Sequence, residues 1–206
     1  MNQQKDLINK AIKLKNDEKF EESLKLLEEL HKNNPNSNDV KKIFIDVLFE
    51  YGDYLNDEWG HDFDKAVKCF KRIIELEPNN YRAWYNLGIS YFKLNRNEEA
   101  LKAYNRAIEI KPDYMYCYYN IGLLHEFNKG DLEIALLYYE KALALNNNFI
   151  YALQASKDVR QKLESLKINV LDNNHYGIDI EIVCKKCGNI NRLGARFCDK
   201  CGERTK

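Results

Sequence analysis

Residues 81–112 read YRAWYNLGISYFKLNRNEEALKAYNRAIEIKP, and residues 115–146 read MYCYYNIGLLHEFNKGDLEIALLYYEKALALN. Laid over each other, the two stretches show a period. Asn86-Leu87-Gly88 falls on Asn120-Ile121-Gly122, 34 residues on, while Ala100, Tyr104 and Ala107 fall on Ala135, Tyr139 and Ala142, 35 residues on. The extra residue lies between these blocks, and NKGD at 128–131 reads as the turn that absorbs it. A period of this length marks stacked supersecondary units that bury their apolar faces against one another.

Each unit carries the helical apolar spacing twice, with a short polar turn between. Trp84, Leu87, Gly88 and Tyr91 share one helix face, and Ala100, Tyr104, Ala107 and Ile108 share another. Small residues have a steric role here. Gly88 and Ala100 let two antiparallel helices approach closely, with Trp84 and Tyr104 filling the space beside the crossing. Pro112 then stops the second helix, because it lacks a donor N–H and clashes with the preceding turn.

Trp84, Leu87, Gly88, Tyr91, Ala100, Tyr104, Ala107 and Pro112 together resemble the tetratricopeptide repeat, W-x2-L-G-x2-Y…A-x3-F…A-x4-P, with one aromatic exchanged. The unit from Met115 departs at Tyr118, His125 and Asn147 but keeps Gly122, Ala135, Tyr139 and Ala142. Upstream, VLFEYGDYLNDEWGHDFDKAVKCFKRIIELEP offers Gly52, Ala66, Phe70 and Pro78, and the degenerate first unit offers Leu7, Ala11, Leu14, Ser23, Leu27 and Pro35. The resemblance implies an all-α fold: a right-handed α-solenoid of about four helix pairs, closed by the amphipathic FIYALQASKDVRQKLESL as a cap. The solenoid and cap occupy 1–166, a linker and lead-in strand 167–182, and a metal-binding ribbon 183–206.

In such repeats the first helices line a concave groove. By resemblance, the groove positions of the two best units are Arg82, Tyr85, Asn86, Ile89 and Phe92, then Tyr116, Tyr119, Asn120, Leu123 and Phe127. An aromatic surface with paired amides suits a peptide or protein partner: tyrosine gives contact area at low entropic cost, and an amide exchanges hydrogen bonds with extended backbone. The same side chains also serve ordinary solenoid packing. The family's grip on chaperone tails needs two lysines, two asparagines and an arginine. Here Tyr116 and Tyr151 stand where basic residues are wanted, and Arg82 alone does not rebuild that clamp.

The last stretch carries different chemistry. Ile178, Ile180 and Ile182 alternate with Asp179 and Glu181, the period of a half-buried strand, and lead into Cys184, Cys187, Cys198 and Cys201. The spacing C-x2-C-x10-C-x2-C sets four soft ligands around one ion, which suits a structural Zn2+, with rubredoxin-like iron and a dithiol switch as alternatives. So short a piece folds on metal-binding free energy, around a small core of Ile190, Leu193 and Phe197. The piece resembles the short zinc ribbons at the ends of many microbial proteins. Four thiolates leave no open coordination position, so hydrolysis at the metal is disfavoured. No phosphate loop, HExxH or Ser/His/Asp grouping accompanies them, and no catalytic residue is expected. Cys69 and Cys117 fall in helical units and read as buried small hydrophobes.

Composition agrees with this reading. Lys+Arg and Asp+Glu number 32 each, so no global charge draws the chain to nucleic acid or membrane. Only 9 Gly and 3 Pro occur in 206 residues, which favours long helices over an all-β fold. No apolar run reaches the roughly 18 residues of a membrane span. No signal-peptide run opens the sequence, so the expected compartment is the cytoplasm, where CxxC pairs serve metals. From Cys184 to Lys206, seven basic residues face two acidic ones, a local net of +5. That charge keeps an alternative in view, in which the ribbon contacts RNA or DNA while the repeats recruit protein. The leading expectation is a non-enzymatic protein-interaction scaffold with the ribbon as a second docking module.

Overall fold

The computed structural model describes residues 2–57, 60–173, 182–183 and 190–191. It divides into two compact units, Met1–Ser156 and Lys157–Lys206.

In the first unit, helices alternate with short turns: α1 Asn2–Asn16, α2 Phe20–Asn33, α3 Asn38–Asn56, α4 Phe63–Leu76, α5 Tyr81–Lys93, α6 Asn97–Ile110, α7 Met115–Leu124 and α8 Leu132–Leu145. Each odd helix packs against the even helix after it, and each pair packs on the next. Side chains fix where the helices begin. Ser37, Asp62 and Asn80 accept from the backbone N–H groups of Val40, Lys65 and Ala83, satisfying donors that a helix start leaves unpaired.

The hairpins are held by one repeated contact. A Cβ built on Gly88 stands 2.4 Å from Cε1 of Tyr104, one on Gly52 stands 2.7 Å from Cζ of Phe70, and one on Gly122 stands 2.5 Å from Cε1 of Tyr139. The ring on each even helix therefore lies directly on the glycine backbone of its partner. Sequence reading placed Tyr104 beside the crossing; the structure places it at the crossing, fully buried. Trp84 is the flanking residue, half-buried, with its indole Nε1 donating to the Pro78 carbonyl at 2.9 Å. In the first pair Ala11 takes the glycine's place, and Ser23 Oγ donates to the Ala11 carbonyl at 2.8 Å.

Two features differ from the sequence expectation. The extra residue of the 115–146 unit is taken up by a single π-helical turn, His125–Lys129, which closes on Gly130 at φ 67°. A π turn accommodates one residue without breaking the helix, so Gly122 and Ala135 keep their register. His125 is buried there, stacked on Tyr138 at 5.8 Å, with Nδ1 3.4 Å from Asp131 Oδ2. The second difference is α9, Ile150–Asn173, which runs past the expected boundary at 166. Nothing stops it sooner, because no Gly or Pro occurs before the Asn173-Asn174 pair.

In the second unit, β1 Ile182–Val183 and β2 Ile190–Asn191 pair antiparallel, with Ile182 opposite Asn191 and Val183 opposite Ile190. Ile178–Glu181 and the cysteines Cys184, Cys187, Cys198 and Cys201 lie outside the described residues.

Candidate partner-binding face

Side chains on successive odd helices reach one another, which defines a single face of the first unit. Lys15 on α1 pairs with Asp46 at 3.3 Å and Glu50 at 2.8 Å on α3. Asn86 Nδ2 on α5 donates to Asp53 Oδ1 on α3 at 2.7 Å. Asn120 Nδ2 on α7 donates to Tyr85 Oη on α5 at 3.2 Å. The Arg82 guanidinium lies over the Phe49 ring, 5.1 Å from its centroid.

The two ends of this face differ in chemistry. Toward α7 and α9 the face becomes a continuous run of rings. Tyr85 meets Tyr114 edge-on at 5.1 Å, Tyr114 meets Tyr116 at 5.3 Å, and Tyr116 meets Phe149 at 5.3 Å. Phe149 in turn meets Tyr119 at 5.4 Å and Tyr151 at 5.8 Å. Such edge-to-face and tilted contacts suit the ring quadrupoles, and the array is anchored where Tyr85 and Tyr114 pack on the main core and Phe149 is buried with Ala142 and Ala152. Tyr116 is 39% exposed and Tyr151 67% exposed, so the run opens to solvent. Toward α3 the face carries Asp46, Glu50 and Asp53.

Of the groove residues named from sequence, Arg82, Tyr85, Asn86, Tyr116, Tyr119 and Asn120 enter these contacts. Tyr85, Asn86, Ile89, Phe92, Tyr119, Asn120 and Leu123 are half-buried, and Arg82, Tyr116 and Phe127 are exposed. Tyr85, Ile89 and Phe92 also pack against the main core. The two asparagines are engaged inside the protein. Asn120 gives its amide N–H groups to Tyr85 and to the Tyr116 carbonyl at 2.9 Å. Burial pushes the Tyr85 phenol well above the usual tyrosine range, and loss of solvent raises the Asp53 carboxyl against the opposing pull of Arg82.

Asp46, Glu50, Asp53, Tyr114 and Phe149 were not among the groove residues read from sequence, and Tyr151 was read there only as standing where a basic residue is wanted. The signal for the acidic three was present. Counting from the helix glycine, they stand six and two residues before and one after Gly52, as Arg82, Asn86 and Ile89 stand about Gly88.

Family models for the tetratricopeptide repeat match residues 81–114 and 116–149, and one for the TPR repeat matches 62–95. Residues 62–149 are tetratricopeptide repeats. The TPR segment is similar to the anaphase-promoting complex subunit 3 of Schizosaccharomyces pombe, 33% identical over 112 residues. That match takes in 52% of this chain and 16% of the relative, so the chain spans about a sixth of that protein's length. Among solved structures, MamA protein superposes with a TM-score of 0.61 at 21% identity, over 84% of this chain and 88% of its own. The first TPR of Spaghetti (RPAP3), bound to the HSP90 peptide SRMEEVD, superposes with a TM-score of 0.53 at 26% identity, over 58% of this chain and 93% of its own. These likenesses match the helical hairpins described above. Among the described residues, no helix is long and apolar enough to cross a membrane.

Proposed function

We propose that this chain is a non-enzymatic interaction scaffold whose odd-helix TPR face holds a peptide or protein segment. The observation that carries this reading is the run of rings from Tyr85 through Tyr116 to Tyr151, open to solvent at its far end. Exposed tyrosines set on rigid helices supply much contact area while losing little side-chain freedom on binding. The first TPR of Spaghetti (RPAP3), which this chain resembles, is bound to the HSP90 peptide SRMEEVD. The two thiols of the first unit favour no chemistry: Cys69 and Cys117 are buried, and burial pushes both up to about 12.

A second docking module is proposed in the four-cysteine ribbon. Cys184, Cys187, Cys198 and Cys201 are the residues that would hold one Zn2+, which supplies folding free energy and no open site for chemistry. The β1–β2 pairing supports this, because the connection between its strands carries the first CxxC pair, Cys184 and Cys187.

Affinity capture with the full chain tests the face. The double variant Tyr116→Ala, Tyr151→Ala is expected to lose the partners that the unaltered chain retains. An identical set of partners from both would place binding elsewhere.

A further inference from the structure

We propose that the occupant of this face is an extended, proline-rich peptide that also carries arginine or lysine. The proposal rests on the reading of the odd-helix face as the partner site and adds the partner's chemistry.

Free polar groups give the first argument. Among the described residues, the hydroxyls of Tyr116, Tyr119 and Tyr151 make no hydrogen bond within the chain, while both kinds of Asn120 N–H contact are internal. The aromatic half thus offers ring faces and phenolic O–H donors. A matching ligand presents carbonyl oxygens to those donors and compact apolar surface to the rings. A polyproline II segment does this: it has no internal hydrogen bonds, its carbonyls are open, and proline has no N–H. Its backbone is already extended before binding, so little order is lost. The rings meet one another edge-on or tilted, at centroid distances of 5.3 Å for Tyr116–Phe149 and 6.2 Å for Tyr119–Tyr151. Aromatic-lined surfaces of this type are the recurring receptors for proline-rich segments.

Charge gives the second argument. On α3 the face shows Asp46, Glu50 and Asp53, against Lys15 and Arg82 from the neighbouring helices. Asp53 takes one hydrogen bond, from Asn86, and has accepting capacity left. Asn86 and Tyr85 on α5 link this carboxylate to the start of the ring run. A ligand cation completes the charge balance at that end, whereas a carboxylate-rich tail meets an excess of negative charge. Such complementarity sets which partner is accepted.

Fluorescence anisotropy with the full chain tests the proposal. The probe is a labelled dodecapeptide of proline and leucine ending in two arginines. Saturable binding is expected, weakened about tenfold or more when the arginines become glutamates and likewise when the prolines become alanines. The acidic peptide SRMEEVD is expected not to compete. The variant Tyr116→Phe, Tyr119→Phe keeps the rings and is expected to bind more weakly through loss of the donors. Glu50→Gln with Asp53→Asn is expected to abolish the preference for arginine over glutamate, with circular dichroism confirming the helices. Failure of the proline–arginine probe to bind overturns the proposal. Tighter binding of SRMEEVD through Tyr116 and Tyr119 also overturns it, while leaving the face itself as the partner site. Loss of the face reading is read separately, from partner capture by the Tyr116→Ala, Tyr151→Ala chain.

Discussion

Gly88 has no side chain because Tyr104 occupies the place where one would go. Alanine there gains about 1 kcal/mol of helix propensity. Against that stands a Cβ 2.4 Å from a fully buried ring with no room to retreat. Overpacking of this kind costs about 1–3 kcal/mol. Gly88→Ala is therefore expected to lower the urea midpoint with an unchanged slope; a raised midpoint would refute the contact. The rings at equivalent places in two repeats differ in one respect. The Tyr104 hydroxyl is buried without a partner, while Tyr139 Oη donates to Glu126 Oε2 at 2.7 Å. An unsatisfied buried hydroxyl costs about 1–3 kcal/mol, and a satisfied one contributes about 1 kcal/mol. Tyr104→Phe is thus expected to be neutral or stabilising and Tyr139→Phe destabilising. Urea unfolding of the two variants decides this by the sign of the difference.

Between helices, tyrosine also links elements through charge. Tyr51 on α3 donates to Glu21 on α2 at 2.9 Å, and Lys65 on α4 meets the same carboxylate oxygen at 2.9 Å. Burial first, then Glu21, pushes the Tyr51 phenol up to about 12 from its ordinary 10.0. A group with a raised folded-state pKa contributes stability that is full below its unfolded value and lost as pH climbs through the folded one. Stability is accordingly expected to fall between pH 10 and about 12, and Tyr51→Phe to fall less steeply there. Tyr85, Tyr104, Tyr114 and Tyr139 are raised as well, chiefly by burial, so the flattening is partial. Equal slopes for both proteins, in urea titrations across that range, would remove Tyr51 from the account. The hairpins were legible in sequence because Gly88, Ala100, Tyr104 and Ala107 repeat at a period that only stacking explains. The π turn was not, since one added residue has no apolar signature and is equally at home in a turn. Nor was the engagement of Asn86 and Asn120, whose partners Asp53 and Tyr85 lie 33 and 35 residues away. The acidic half of the face does have a sequence signature, because Asp46, Glu50 and Asp53 keep about Gly52 the register that Arg82, Asn86 and Ile89 keep about Gly88.

The whole chain joins two kinds of stability. A repeat stack gains its stability from neighbour-to-neighbour packing, and the core of the first unit runs through successive pairs from Ala11 to Leu124. The four-cysteine ribbon proposed above would have too little apolar surface for that and would depend on its ion. The two should therefore respond to different agents. The purified chain is expected to carry about one Zn2+ when made in zinc-containing medium, as a closed four-thiolate site requires. Iron in its place would give a coloured protein. Cys198→Ser or a strong chelator is expected to release the zinc and leave the helical circular dichroism signal and its urea midpoint in place. Released thiols, counted with a colorimetric reagent on the native chain, should rise by the ribbon's cysteines alone, because Cys69 and Cys117 are buried. A native chain whose thiol count stays the same after chelation never held the ion on these sulfurs. Loss of the helical signal along with the zinc would show that the repeats depend on the ribbon, contrary to a core built from their own hairpins.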